Sequence, residues 1–193
     1  ALYAGIPGKA EAGKIIAKLF SDKEPFIKTG KCPSPYFNYF LLDTLFSLGH
    51  AEWCVNFIKF YWGGMIEANA DTFWSEFDPV AGAEVPKTSL CYGASGAVNI
   101  FIIQEIAGVR AAEPGFRKIY LNPMFSILRA AKIAFHTPPG RINLSWNTAE
   151  NGDIDIQLDA NFMLTVAPML PKEILEKCTF GVGKSVSILD TTG

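Results

Sequence analysis

Apolar positions recur every three to four residues through the first half of the chain and every second residue through much of the last third. The pattern alone therefore divides the protein into a helical part and a β part. In residues 9–20 (KAEAGKIIAKLF), Ala12, Ile15, Ile16 and Leu19 share one face of an amphipathic helix. PSPYFNYFLLDTLFSLGH, residues 33–50, opens on prolines that suit a helix start and closes on Gly49, which suits a C-terminal cap. Its apolar residues run almost all the way round the cylinder, the mark of a helix buried among others. AEWCVNFIKFYWGGMIEAN follows after a very short turn, with Trp53, Phe57, Phe60 and Tyr61 on a broad apolar face and Gly63 and Gly64 interrupting the far end. It reads as the antiparallel partner in an αα-hairpin. A fourth helix, GASGAVNIFIIQEIAGVRA, is expected from about Gly93 to Arg110.

Past PGF at residues 114–116 the texture changes. RKIYLNP, RAAKIAFHTPPGRINLSWN, GDIDIQLDANFMLTVAP and KCTFGVGKSVSIL alternate with period two, punctuated by PPG, ENGD and GVG. Ile154, Ile156 and Leu158 alternate with Asp153, Asp155, Gln157 and Asp159, so one face is dry and one wet. The expected fold class is a multi-domain α and β protein. A helical array occupies residues 1–111 and an antiparallel β-sandwich residues 112–193. Four helices with such extensive apolar faces have more greasy surface than they can hide from one another. That predicts a fragment of a larger helical array, completed by residues outside the chain or by a partner, with self-association through exposed helix faces otherwise.

The 193 residues are 49% apolar, enough to fill a real core, and the formal net charge is −2. With the Lys and Arg residues scattered, no electrostatic footprint for a phosphate backbone or an anionic membrane is present, so neither partner is expected. The greasiest stretch, residues 36–48, carries Asn38 and Asp43 and falls short of the roughly 18 to 20 apolar residues of a membrane span. Four cysteines (Cys32, Cys54, Cys91, Cys178) and two histidines (His50, His136) lack the close pairing of a zinc site. No metal is expected, and the cysteines are expected to be mostly buried thiols.

One stretch has no regular apolar period. NADTFWSEFDP, residues 69–79, sets Asp71, Glu76 and Asp78 around Phe73, Trp74 and Phe77, at the end of a helical hairpin where a loop is exposed. Carboxylates beside aromatic faces suit a sugar site, since the acids transfer protons and the rings stack on the C–H faces of a pyranose. The same residues also fit a purely structural role, with Asp71 and Thr72 capping a turn, Trp74 in the core, and Glu76 and Asp78 solvated. Spacing does not separate the two.

The order of motifs resembles the C-terminal part of an α-L-rhamnosidase of glycoside hydrolase family 78. The matching segments are ALYAGI, PYFNYFLLDTLFSLGH, YWGGMIEANADTFWSEFDP, SLCYGASGAVNIFIIQEIAGVRAAEPGFRKIYLNP and HTPPGRINLSW. The resemblance implies that the helical part is the closing third or so of an (α/α)6 barrel of six-hairpin type. It implies hydrolysis of terminal α-L-rhamnosides with inversion and without a metal or other cofactor, in a periplasmic or secreted setting. The family's general acid would lie upstream of Ala1, so the fragment alone would be inactive. The general base is a glutamate directly after the motif tryptophan, where this chain has Ser75, with Glu76 one residue later. A serine hydroxyl has no accessible base form near neutral pH, so Glu76 becomes the base candidate. The resemblance makes Trp74 the platform for the sugar, and Asp71 and Tyr92 the hydrogen-bonding lining. Tyr92 stands where relatives commonly have histidine. A noncatalytic rhamnoside-binding or scaffold relative with a degenerate site is the alternative reading.

Overall fold

The computed structural model describes residues 2–19, 33–79 and 88–189. They fall in two compact units, residues 1–101 and 102–193.

The first unit holds α1 (Lys9–Leu19), α2 (Pro35–Ser47) and α3 (Ala51–Glu67). α2 begins as its sequence requires. Pro35 sits at the first helical position, where no N–H is needed, and the Ser34 hydroxyl accepts from the Phe37 N–H at 3.4 Å. It ends on Gly49 with φ +85°, the Gly49 and His50 amides donating to the carbonyls of Phe46 and Leu45. α3 ends by the same device with Asn69 in place of glycine. Asn69 has φ +61°, and the Asn69 and Ala70 amides donate to Ile66 and Met65. Both are Schellman caps, and the second stops the helix where the acidic loop begins. Leu42, Leu45, Cys54, Phe57, Tyr61 and Met65 form the interior. α2 is not buried all round, however. Tyr36 and Phe37 stay exposed among the described residues, so one side of that helix lacks the cover its sequence anticipates.

The expected fourth helix is shorter and less regular than its sequence suggests. A 3₁₀ turn (Gly93–Ala97) leads into one turn of α4 (Val98–Phe101) and then a π turn (Ile102–Ile106). The chain is out of helix by Gly108, two residues before the expected end. Gly108 has φ +65°, and a Cβ there would lie 2.0 Å from the Asn122 carbonyl, so only glycine fits. Val109–Ala111 then forms strand β1 instead of a last helical turn.

The second unit is a sandwich of two four-stranded sheets. β1, β2 (Lys118–Leu121), β6 (Leu164–Pro168) and β8 (Val186–Ile188) form one sheet in the order β1-β2-β6-β8. β3 (Ala130–Thr137), β4 (Gly140–Thr148), β5 (Ile154–Ala160) and β7 (Cys178–Val182) form the other in the order β3-β4-β5-β7. A single short helix, α5 (Lys172–Leu175), joins β6 to β7. Ile119, Leu121, Ile142, Leu144, Ile156, Leu158, Leu164 and Val166 fill the space between the sheets. Trp146 closes it, donating its indole N–H to the Leu128 carbonyl at 2.8 Å.

The sheets are mixed, which corrects the antiparallel expectation. β2 and β6, β5 and β7, and β6 and β8 pair in parallel. From β5 onward the chain changes sheet at every connection, so strands two apart in sequence become neighbours and run the same way. Among the described residues no helix is long and apolar enough to cross a membrane.

Candidate functional site

The acidic loop is held by a second segment of the chain. The Tyr92 amide donates to the Phe73 carbonyl at 2.7 Å and the Ser75 amide to the Ser89 carbonyl at 3.0 Å. The Thr72 hydroxyl donates to the Leu90 carbonyl, and the Ser75 and Thr88 hydroxyls bond to each other at 2.8 Å. Residues 72–75 and 88–92 thus form one hydrogen-bonded pair of loop segments.

Side chains of the loop then divide between two environments. Trp74 is 3% exposed. Its carbonyl accepts from the buried Ser95 hydroxyl at 2.6 Å, and the Ser95 carbonyl accepts from the Trp62 indole at 3.1 Å. Phe77 is drawn in as well. Its ring meets Tyr61 edge-on at 5.7 Å and Trp74 at 6.0 Å, and its carbonyl accepts from the Tyr61 hydroxyl. Gly64 leaves room for it, since a Cβ there would stand 2.9 Å from the Phe77 ring. Gly64, which in the sequence reads only as an interruption of α3, is the seat of that ring.

The outward residues are Asp71, Thr72, Phe73, Glu76 and Asp78, with Tyr92 open beside them. The structure therefore brings Asp71, Glu76 and Tyr92 to the surface on one bonded loop pair. It does not do so for Trp74, whose ring is interior, whereas a sugar platform needs an open face. Phe73, 38% exposed and packed at its inner edge against Gly96, is the loop aromatic that remains accessible. Ser75 is half-buried with its hydroxyl engaged by Thr88. The roles of Thr88 and Ser95 escape sequence reading, because nothing local distinguishes them from any other loop hydroxyls.

Among the described residues no group of three or more His, Cys, Asp and Glu side chains could hold a metal. The thiols depart from expectation: Cys54 is buried, Cys178 half-buried and Cys91 exposed, while Cys32 lies outside the described residues. Burial raises the Cys178 thiol above its ordinary pKa.

Along the chain, a helical unit that carries a clamped acidic loop is followed by a mixed β-sandwich. Residues 108–173, from Gly108 to the start of the short helix before β7, match the family described as "Bacterial alpha-L-rhamnosidase C-terminal domain". An alpha-L-rhamnosidase of Streptomyces avermitilis is 25% identical over 153 residues, 75% of this chain and 14% of that protein. An alpha-L-rhamnosidase of an Alteromonas species is 27% identical over 113 residues, 55% of this chain and 12% of that protein. The crystal structure of a family 78 rhamnosidase of Bacillus sp. GL1 superposes with a TM-score of 0.72 at 22% identity, over 94% of this chain and 19% of that one. The chain is thus similar in sequence and fold to the C-terminal part of α-L-rhamnosidases, and spans about one seventh of the length of the first of these relatives.

Proposed function

We propose that the chain is the C-terminal portion of an inverting α-L-rhamnosidase, in which the helical unit contributes the closing third of an (α/α)6 barrel and the loop of residues 69–79 a rim of the sugar pocket. Glu76 is the general base. It takes a proton from the water that attacks the anomeric carbon, on the face opposite the leaving group, while a general acid outside this chain protonates the glycosidic oxygen. The two carboxyl groups then stand about 6.5 to 9.5 Å apart with the water between them. Asp71 and the Tyr92 hydroxyl hydrogen-bond the sugar. Phe73 offers the open aromatic face, and Trp74 anchors the loop from beneath.

The observation that carries this reading is the placement of Glu76. Its neighbours on either side are fixed, Ser75 by Thr88 and Ser89 and Phe77 by Tyr61, while its own side chain is exposed. A backbone clamped at both sides supports this role, because it limits the positions the carboxylate can reach. The test is turnover of an aryl α-L-rhamnoside by the longer protein that contains this chain. Glu76→Gln should lower kcat by roughly 10²- to 10⁴-fold with KM little changed; full activity in that variant removes Glu76 from the mechanism.

The second reading, a noncatalytic rhamnoside-binding relative, draws support from Ser75. It occupies the family's base position with its hydroxyl committed to Thr88 at 2.8 Å. Binding of L-rhamnose without turnover by the longer protein decides for it.

A further inference from the structure

The outer face of the sheet β3-β4-β5-β7 contains a concavity of about 380 Å³ that the loop chemistry does not use. It exists because of β7. The positions of this segment that face outward beside Gln157 and Asp159 are Gly181 and Gly183, so no side chain stands there. Gln157 and Asp159 lean across the space instead. A Cβ at 181 would meet the Gln157 amide oxygen at 2.1 Å, and one at 183 an Asp159 carboxylate oxygen at 2.1 Å. The pairing register aligns Lys132, Ser145, Gln157 and Gly181 in one cross-strand row, with Asn143 and Asp159 in the next. Gln157 donates to Asp155 at 2.8 Å. Among the described residues Lys132, Asn143, Ser145 and Asp159 have no hydrogen-bond or ion-pair partner for their side chains.

We infer that this groove is a second, noncatalytic binding site for a neutral oligosaccharide segment. In the lining one amine and one carboxylate offset each other, and the Asp155 carboxylate beside them is engaged by Gln157, so the groove has no excess positive charge to select an anion. Its two amides, hydroxyl, carboxylate and ammonium mix donors with acceptors, the complement of sugar hydroxyls, each of which donates and accepts. No aromatic side chain lines it, so stacking adds nothing and affinity sits on the order of millimolar. The choice of a sugar over another polyol rests on the glycosidase reading above.

The test is an amide chemical-shift titration of the whole 193-residue chain with a neutral rhamnose-terminated tetrasaccharide, with glycerol as the control polyol. Saturable shifts confined to β3, β4, β5 and the β7 segment, absent with glycerol, are expected. They should be lost in Asn143→Ala combined with Asp159→Ala, one half-buried and one exposed position on the outer face, with the fold intact by circular dichroism. Gly181→Val, which fills the groove, should abolish them too; if it unfolds the sandwich, the double variant alone decides. Shifts confined to residues 69–92, no shifts at high sugar concentration, or groove shifts that track protein concentration without sugar would each overturn the inference. Failure of the rhamnosidase reading shows separately, as absence of turnover by the longer protein, and leaves the groove titration unaffected.

Discussion

At the scale of single residues, the loop separates buried anchors from exposed side chains. Trp74 fills interior space, whereas Glu76, two residues on, touches little. Trp74→Ala should therefore cost about 3 to 5 kcal/mol of stability through the cavity it leaves, and Glu76→Gln should stay within about 0.5 kcal/mol of the parent. Urea denaturation of the whole chain measures both, and a neutral Trp74→Ala would show that its burial is not structural. The sequence marks the loop as unusual but cannot say which ring turns inward. That depends on Gly64 and Ser95, both distant along the chain. Cys178 carries a second prediction. Burial raises its folded-state pKa, so the folded protein keeps the thiol proton at a pH where the unfolded chain has lost it. Its contribution is present below the unfolded thiol's pKa, roughly 8.5, and is lost as pH rises through the higher folded value. The parent should lose more stability than Cys178→Ala between neutral and strongly alkaline pH, read from denaturation midpoints. Equal losses would mean that the thiol titrates alike in both states.

At the scale of elements, the regular repeats were legible and the junctions were not. The alternation of Ile154, Ile156 and Leu158 predicts β5 with its dry face inward, and the structure buries all three. Alternation is local, though. It assigns a face and says nothing of which strand lies alongside or in which direction, so the parallel pairs stayed hidden. GVG likewise reads as a turn, yet Gly181 and Val182 lie within β7. The end of the fourth helix was missed because the apolar spacing continues through Val109, while the decisive constraint is the close approach of Gly108 to Asn122. That constraint is testable. Gly108→Ala combines a left-handed backbone with a clash against main chain, and should cost at least about 2 kcal/mol. The expected signature is a fall in the thermal midpoint of the β unit, followed by near-ultraviolet circular dichroism. An unchanged midpoint would mean the backbone shifts there at no cost.

At the scale of the whole molecule, the two units differ in how well each covers its apolar residues. The β unit closes on itself, with Ile119, Leu121, Ile142, Ile156 and Val166 fully buried between its sheets. The helical unit leaves Phe37, Ile66 and Ile100 open, with Ile66 72% exposed. Isolated exposed apolar residues are ordinary, but several on helices of one small unit leave surface that water does not favour. On α2, Tyr36 and Phe37 belong to that open surface. In the proposed barrel those faces meet further helices, which the 193-residue chain does not supply. The chain by itself should therefore associate reversibly. Size-exclusion chromatography with light scattering should give a mass that rises above the monomer at tens of micromolar and falls on dilution. Phe37→Glu with Ile66→Lys should restore the monomer without loss of helix content, because both side chains already face solvent. The longer protein, with those faces covered, should show no such dependence. A chain that stays monomeric at every concentration would mean that its exposed helix faces are too dispersed to act together, and would remove the thermodynamic reason for expecting further helices against them.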